Sequence, residues 1–216
     1  MPSMHQKNNS LGFTEGDLRV ALVRQLAKEK KATHPIFAIE ARYGFGERRA
    51  DFVTFDEYTH AFEIKSDLDT VTRLEEQTSE YVSTFDFVTV VTTDLHLSKV
   101  RSIVPQRVGI IVFRDGDLKR VRSAQQNKRL SKHHLAASIS KSTLSHHLPT
   151  AQKKSSRREL VEMSIKNLRI SELRLLFLCE LRNRFADTSR QFFEETDDDI
   201  HEEDLLILRR VSRLSQ

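Results

Sequence analysis

The sequence predicts an α/β protein: a mixed central sheet flanked by helices, followed by a polar basic connector and C-terminal helices. Two continuous apolar runs, residues 87–91 and 108–113, have the composition of strands that are buried on both faces. A hairpin pattern precedes them, because the β-branched and aromatic runs 50–55 and 61–65 flank the polar stretch 56–59. Segments with helical spacing alternate with these strands, which is typical of a layered α/β domain.

The other elements follow from caps, breakers and apolar spacing. Thr14 can cap a first helix that extends to about Lys31, and the His-Pro pair at 34–35 ends it. Asp67 and Asp69 open the helix that follows the hairpin, and this helix extends to about Thr84. The remaining predictions are a strand at 36–43, a short helix at 98–103, a last hairpin strand at 118–121 after an Asp-Gly turn, and helices at 171–184 and 204–214.

Composition divides the chain into four parts. Residues 1–12 are predicted to be a disordered tail, and residues 13–122 carry the predicted sheet. Ser, Gln, Lys and His dominate residues 123–156, which we interpret as a mobile or loosely helical basic connector. Residues 157–216 form a C-terminal helical region.

Positive charge is concentrated in the middle of the chain. The formal net charge is +4, but residues 99–158 hold fifteen Lys or Arg against two Asp, a local balance of +13. Segregated basic charge favours a nucleic acid as the partner, since neutralising phosphates releases counterions. No apolar run is long enough to span a bilayer, so no membrane partner is predicted. One cysteine, Cys179, and the absence of an apolar leader favour a cytoplasmic location.

Three charged residues of the predicted hairpin suggest chemistry: Asp51 on its first strand, and Glu63 and Lys65 on its second. Residues two apart on a strand share a face, so Glu63 and Lys65 point one way while Phe62 and Ile64 point into a core. If the strands pair, Asp51 reaches the same end of the sheet as Glu63. Two carboxylates and a lysine at one sheet edge form a site for a hard divalent cation and a phosphate.

The same spacing occurs a second time in the chain, at Asp17, Glu29 and Lys31. These residues fall in the predicted first helix, where Glu29 and Lys31 would point to different sides. The spacing alone does not distinguish the two triplets, but the hairpin context favours Asp51, Glu63 and Lys65.

These elements and residues together resemble the PD-(D/E)XK nuclease superfamily over roughly residues 14–113. Gln77 and Tyr81 lie four apart on the helix after the Glu-Ile-Lys strand and match the Q-x-x-x-Y motif of its RecB-like branch. Glu-Ile-Lys followed by Ser-Asp-x-Asp-Thr and Arg-Leu-x-x-Gln is also similar to a group of small, poorly characterised bacterial proteins in that superfamily. Ala50 replaces the proline of the namesake pair. The resemblance implies a restriction-endonuclease-like fold.

The resemblance also implies roles for the site residues. Asp51, Glu63 and the carbonyl of Ile64 would hold one or two Mg²⁺ (or Mn²⁺) ions. Lys65 would orient the attacking water or stabilise charge in the transition state. Gln77 would orient the substrate or the ligand shell.

Further residues complete the predicted site. Tyr81 would support the site from the core or by contacting the residues that bind the metal. A third carboxylate would come from Glu15, Asp17 or Glu40, among which the sequence does not choose. The predicted nucleic-acid-binding cations are Arg48, Arg49, Arg73, Lys128, Arg129 and Lys132.

The predicted function is a Mg²⁺-dependent deoxyribonuclease, a phosphodiester hydrolase. One alternative is a catalytically inactive nucleic-acid-binding module of the same fold. Another is a regulatory protein that docks a partner, or a second copy, through its C-terminal helices. The sequence leaves open DNA or RNA, single or double strand, and endo- or exonucleolytic attack.

Overall fold

A computed structural model of the protein describes residues 12–29, 35–148, 155–196 and 199–211. It is an α/β protein with a mixed six-stranded sheet flanked by helices, and with further helices toward the C-terminus, which confirms the predicted fold class. Residues 1–11 of the predicted tail lie outside the described ranges. In the part of the chain that the structure describes, no helix has the length and apolar character needed to cross a membrane.

The secondary structure consists of six strands, seven α-helices and two 3₁₀ turns within the described ranges. The strands are β1 (Ile36–Tyr43), β2 (Arg48–Phe55), β3 (Thr59–Lys65), β4 (Phe87–Thr93), β5 (Gly109–Arg114) and β6 (Asp117–Arg122). The helices are α1 (Glu15–Glu29), α2 (Leu74–Thr84), α3 (Asp94–Ile103), α4 (Lys132–Ala137), α5 (Lys141–His147), α6 (Arg157–Asn167) and α7 (Ile170–Glu195). The 3₁₀ turns are Gly44–Gly46 and Asp204–Arg209.

The strands lie in the sheet in the order in which they occur along the chain. β1, β2 and β3 pair antiparallel, β3 to β5 pair parallel, and β6 returns antiparallel to β5. A parallel neighbour requires a crossover connection, which α2 and α3 provide. β4 and β5 are buried along nearly their whole length, as their continuous apolar sequences predict.

Helices cover the sheet on both faces and give two hydrophobic clusters. The first cluster contains Val53 and Phe55 of β2 and packs against α2, α6 and α7. The second contains Phe52, Phe62 and Ile64 and packs against α1 and the 3₁₀ turn Asp204–Arg209. Side chains of a strand alternate between faces, so Glu63 and Lys65 point toward the side of the first cluster.

The segment predicted as a basic connector differs from that prediction, because it contains two short helices that pack into the protein. Leu135 of α4 and Leu144 of α5 are fully buried in the first cluster, and Ile139 between them is buried too. Ser131 and Ser140 cap the two helices. Helices of six and seven residues contain too few turns to show a periodic apolar pattern, which explains why the sequence suggested a loose segment.

The C-terminal region also departs from the predicted boundaries. α7 has 26 residues and continues well past Arg184, because Phe185 and Phe192 extend its buried stripe. Near its start, Arg174 Nε donates to Asp86 Oδ1 at 2.6 Å, which ties the helix to the sheet. The last predicted helix is a 3₁₀ turn that ends at Arg209, and residues 212–216 lie outside the described ranges.

Candidate active site

The candidate site lies where β2 and β3 separate. Their antiparallel ladder ends at the pair Phe52–Phe62, one residue before Asp51 and Glu63. Continuing the register would place Asp51 opposite Glu63, which agrees with the prediction that the two share one end of the sheet. β3 continues along β4 as far as the pair Lys65–Thr92, so the strands fork at the two carboxylates.

Strand β1 is distorted beside this fork. Glu40 has φ +51°, a left-handed conformation that is uncommon for a residue with a side chain. Ile39 belongs to the second hydrophobic cluster and Ala41 to the first, so the alternation of faces breaks at Glu40. In the β1–β2 register Glu40 lies across from Asp51. Backbone strain of this kind is concentrated at functional sites.

The two carboxylates are withdrawn from solvent. The Glu63 side chain is fully buried, and its Oε1 lies 2.7 Å from Lys65 Nζ. By strict geometry neither Glu63 oxygen accepts a hydrogen bond from the residues that the structure describes, and the Tyr81 hydroxyl is the nearest hydroxyl donor to this carboxylate. Asp51 is half-buried, and its Oδ2 accepts a hydrogen bond from the Ile64 backbone N–H at 2.9 Å. Buried carboxylates with so few donors favour a bound cation.

The electrostatics of the site lead to the same conclusion. Burial and then the negative charge of Glu63 raise the pKa of Asp51 to about 8, although the Ile64 N–H and Lys65 oppose the shift. Burial, followed by Glu63 and Asp51, also raises the pKa of Tyr81 well above its ordinary value. Asp51 and Glu63 repel each other in this desolvated site, and a further cation would relieve the repulsion.

Lys65 is the cation closest to these carboxylates. Its side chain is only 11% exposed, so the ammonium group lies inside the site and not at its rim. Arg48 and Arg49, predicted to bind phosphate, form ion pairs with Glu80 and Glu40. Their charges are therefore partly compensated within the protein.

Helix α2 places Tyr81 behind the fork. The Tyr81 hydroxyl accepts a hydrogen bond from the Asp51 backbone N–H at 3.3 Å and donates to the Arg49 carbonyl at 3.4 Å. It thus fixes β2 where the ladder to β3 is missing. Gln77 is half-buried one turn earlier on the same face of α2. Tyr81 therefore contacts the backbone of the strand that carries Asp51, and its supporting role in a catalytic site stays a prediction.

Replacing Tyr81 with phenylalanine is expected to loosen the strand that carries Asp51. The substitution removes two long hydrogen bonds but keeps the buried ring, so we expect a loss of about 1 kcal/mol in the free energy of unfolding. For a chain of this size that loss lowers Tm by about 2–4 °C. Thermal unfolding of the two proteins followed by circular dichroism measures the effect, and an unchanged Tm would contradict this role of the hydroxyl.

The structure distinguishes among the three further carboxylates that the sequence left open. The charge of Glu15 contributes to the raised pKa of Asp51, so Glu15 lies within electrostatic range of the site. Asp17 instead accepts hydrogen bonds from the N–H and hydroxyl of Thr14 and caps α1. Glu40 is held by Arg49 at 2.9 Å and Arg209 at 3.3 Å.

Two buried residues near the site had no signal in the sequence analysis. Arg19 is 5% exposed and forms an ion pair with Glu15 one turn before it on α1. Tyr43 is buried at the end of β1, and its pKa is raised by burial, with smaller contributions from Glu63 and Asp51. A buried arginine in an amphipathic helix and an aromatic residue beside a glycine turn are not distinctive patterns, so only the tertiary structure identifies them.

The other predicted nucleic-acid-binding cations lie outside the fork. Arg73 is exposed just before α2, and Lys128 and Arg129 are exposed after β6. Lys132 Nζ donates to the Ile165 carbonyl at 3.1 Å and thereby stabilises the end of α6. The control residue Glu29 ends α1, and Lys31 lies outside the described residues.

The donor set fits one hard divalent cation with a small protein shell. Asp51, Glu63 and the Ile64 carbonyl are oxygen donors of the kind that Mg²⁺ and Mn²⁺ prefer. No group of three or more His, Cys, Asp or Glu side chains within the described ranges has metal-binding geometry. Mg²⁺ commonly keeps several waters and takes only one or two carboxylates, so this set is sufficient for it.

Comparisons with known proteins identify the family. The family model described as bacteriophage P4 protein cII matches residues 8–209, and the chain belongs to this family. Protein cII of Enterobacteria phage P4 is 26% identical over 208 residues, which cover 92% of this chain and 79% of that protein. A solved structure, the SPO1766 protein of unknown function from Silicibacter pomeroyi, is 18% identical, with a TM-score of 0.40 over 55% of this chain and 77% of that one. Likeness at that level carries no structural argument, and none of these descriptions names an activity.

Proposed function

We propose that this member of the bacteriophage P4 cII family is a divalent-metal-dependent nuclease that hydrolyses phosphodiester bonds in DNA. One observation carries the proposal: at the fork of β2 and β3, the desolvated carboxylates of Asp51 and Glu63 lie beside the ammonium group of Lys65. A structural ion pair would require one carboxylate for one lysine. The second carboxylate adds repulsion that a bound cation would relieve.

Asp51, Glu63 and the Ile64 carbonyl would hold Mg²⁺ or Mn²⁺. When bound, such an ion activates water and neutralises charge that develops on a scissile phosphate. Glu15 is the carboxylate best placed to assist from α1, since it already influences the pKa of Asp51. The ion would also favour ionised Asp51 over the protonated form.

Lys65 and Gln77 would act on the substrate. The Lys65 ammonium group is held 2.7 Å from Glu63 Oε1, and this ion pair fixes its position. A fixed buried cation would stabilise negative charge on phosphate oxygens or orient the attacking water. Gln77, half-buried on α2, would orient the substrate, while Tyr81 holds the Asp51 backbone in place.

The charge distribution supports a nucleic-acid substrate. Residues 99–158 carry the local balance of +13 described above, and the exposed cations among them would attract a phosphate backbone. DNA is the substrate that the superfamily resemblance implies.

Cleavage of labelled DNA tests the proposed function directly. The wild-type protein is incubated with linear and circular DNA in Mg²⁺, in Mn²⁺ and in EDTA. We expect cleavage in either metal and none in EDTA, and attack on circular DNA would identify an endonuclease. Binding of DNA without cleavage in any metal would instead favour the catalytically inactive module.

A further inference from the structure

A cavity of about 420 Å³ lies on the face of the sheet opposite Glu63. It is bounded by the second half of α1, by the beginnings of β3 and β4, and by β5 and β6. Phe62 and Ile111, both of the second hydrophobic cluster, form part of its wall. Its volume falls within the range of about 300–1,000 Å³ that is usual for ligand sites.

Aromatic rings line this cavity. The ring of His60 stacks on Phe62, with centroids 4.1 Å apart and an interplanar angle of 21°. Phe87 lies next to His60 at 5.8 Å, and Tyr58 packs against Phe87 at 5.9 Å. Phe87 is only partly buried, so it retains surface toward the opening. Aromatic surfaces of this kind accept a flat ring by stacking.

Charged side chains of both signs line the cavity, namely Glu29, Asp56, Arg120 and Arg122, and further cations lie close to it. Arg120 of β6 is exposed and lines the cavity. The segment after β6 passes along the same end of the sheet, because Gln125 N–H donates to the Arg107 carbonyl at 2.9 Å and Asn127 Nδ2 to the Phe85 carbonyl at 2.7 Å. Three exposed cations therefore lie along this path: Arg107, Lys128 and Arg129. Neither they nor Arg120 form an ion pair with another residue within the described ranges.

We infer that this cavity binds one base of a single-stranded nucleic acid, while the cations around it contact the neighbouring phosphates. Single-strand sites combine a positively charged path for the backbone with aromatic rings on which bases stack. A paired base in a duplex remains inside its own stack and cannot enter such a cavity. The inference rests on the nucleic-acid partner of the proposed function, but it assigns binding to a face of the sheet different from that of Asp51 and Glu63.

The test is a binding measurement in EDTA, so that no cleavage occurs. Fluorescence anisotropy gives the affinity of a labelled single-stranded deoxyoligonucleotide of mixed sequence and of the matching duplex, over a series of salt concentrations. Phe87→Leu removes the aromatic surface but retains apolar volume, and Arg120→Gln removes an exposed charge without affecting the core. Lys166→Gln is the matched control, since Lys166 is exposed on α6 at the other face of the sheet and lies outside the basic segment 99–158.

We expect the single strand to bind more tightly than the duplex, and Phe87→Leu to weaken its binding by about fivefold or more. Arg120→Gln should reduce the slope of log affinity against log salt by about 0.7, the contribution of one phosphate contact with a single strand. Lys166→Gln should leave both quantities unchanged.

Wild-type affinity and an unchanged salt slope in both cavity variants would overturn the inference. Equal binding of duplex and single strand, or no binding of either, would also overturn it. A circular dichroism melt of Phe87→Leu checks its folding, and Arg120→Gln keeps the test decisive if that variant is unstable. Cleavage plays no part in this measurement. The proposal of a base-binding cavity can therefore be disproved without disproving the nuclease, and the nuclease can be disproved without disproving the cavity.

Discussion

Replacing Glu63 with glutamine is expected to lower the rate of metal-dependent DNA cleavage by about 10³-fold or more. Glutamine keeps the volume of the fully buried side chain but removes its charge, and with it a hard ligand. A divalent ion contributes several kcal/mol of charge stabilisation to such reactions, and each 1.36 kcal/mol corresponds to about tenfold in rate. Initial rates on labelled DNA in Mg²⁺ measure the effect.

Glu162→Gln is the matched control for this substitution, since Glu162 is exposed on α6 and makes no contribution to the fork. Both variants should bind DNA in EDTA with wild-type affinity, because binding depends on cations outside the fork. Persistent cleavage by Glu63→Gln would place the active site elsewhere. Equal losses in both variants would indicate a general effect of lost negative charge.

Local patterns explain which parts of the fold were predictable. The hairpin of β2 and β3 is specified by two adjacent runs and a short turn, and the structure places its strands within two residues of the prediction. β4 and β5 were recognisable because strands buried on both faces are continuously apolar. The packed position of α4 depends instead on contacts with distant α6 and α7, which a six-residue sequence cannot reveal.

The candidate site was likewise predictable from the sequence only in part. Asp51 and Glu63 were predicted to meet because antiparallel register is a local property of a hairpin. Their fork was not predictable, since it arises where β3 remains paired with β4, some 25 residues further along the chain. The sequence also could not choose Glu15 over Asp17, because packing of α1 against the sheet decides which carboxylate approaches Asp51.

Without metal, the protein is expected to lose stability as the pH rises from about 4 to about 8. In the folded state the pKa of Asp51 is about 8, against an ordinary value of 3.8, because burial and Glu63 disfavour its charge. The folded state therefore binds more protons than the unfolded state across this interval, and the free energy of unfolding falls as the pH rises. The stability that protonated Asp51 contributes is fully present below its ordinary pKa and is lost as the pH rises through its pKa in the folded state.

Asp51→Asn should abolish this contribution. The amide oxygen can still accept the Ile64 N–H, but the side chain no longer has to ionise inside the site. Thermal melts in EDTA from pH 5 to pH 9 compare the two proteins. The Tm of Asp51→Asn should exceed that of the wild type by an amount that increases with pH.

Mg²⁺ should reverse the order of stability at pH 8. An ion that binds only the folded state at a hundredfold excess over its Kd adds about 2.7 kcal/mol, which raises Tm by about 5–10 °C for a chain of this size. The wild type should gain this stability, while Asp51→Asn should gain little, and the exposed-site control Glu162→Gln should behave as the wild type. If the pKa of Asp51 is raised by burial alone, the Tm of the wild type will depend on pH but not on Mg²⁺. An unchanged wild-type Tm in Mg²⁺ would therefore show that Asp51 and Glu63 hold no divalent ion.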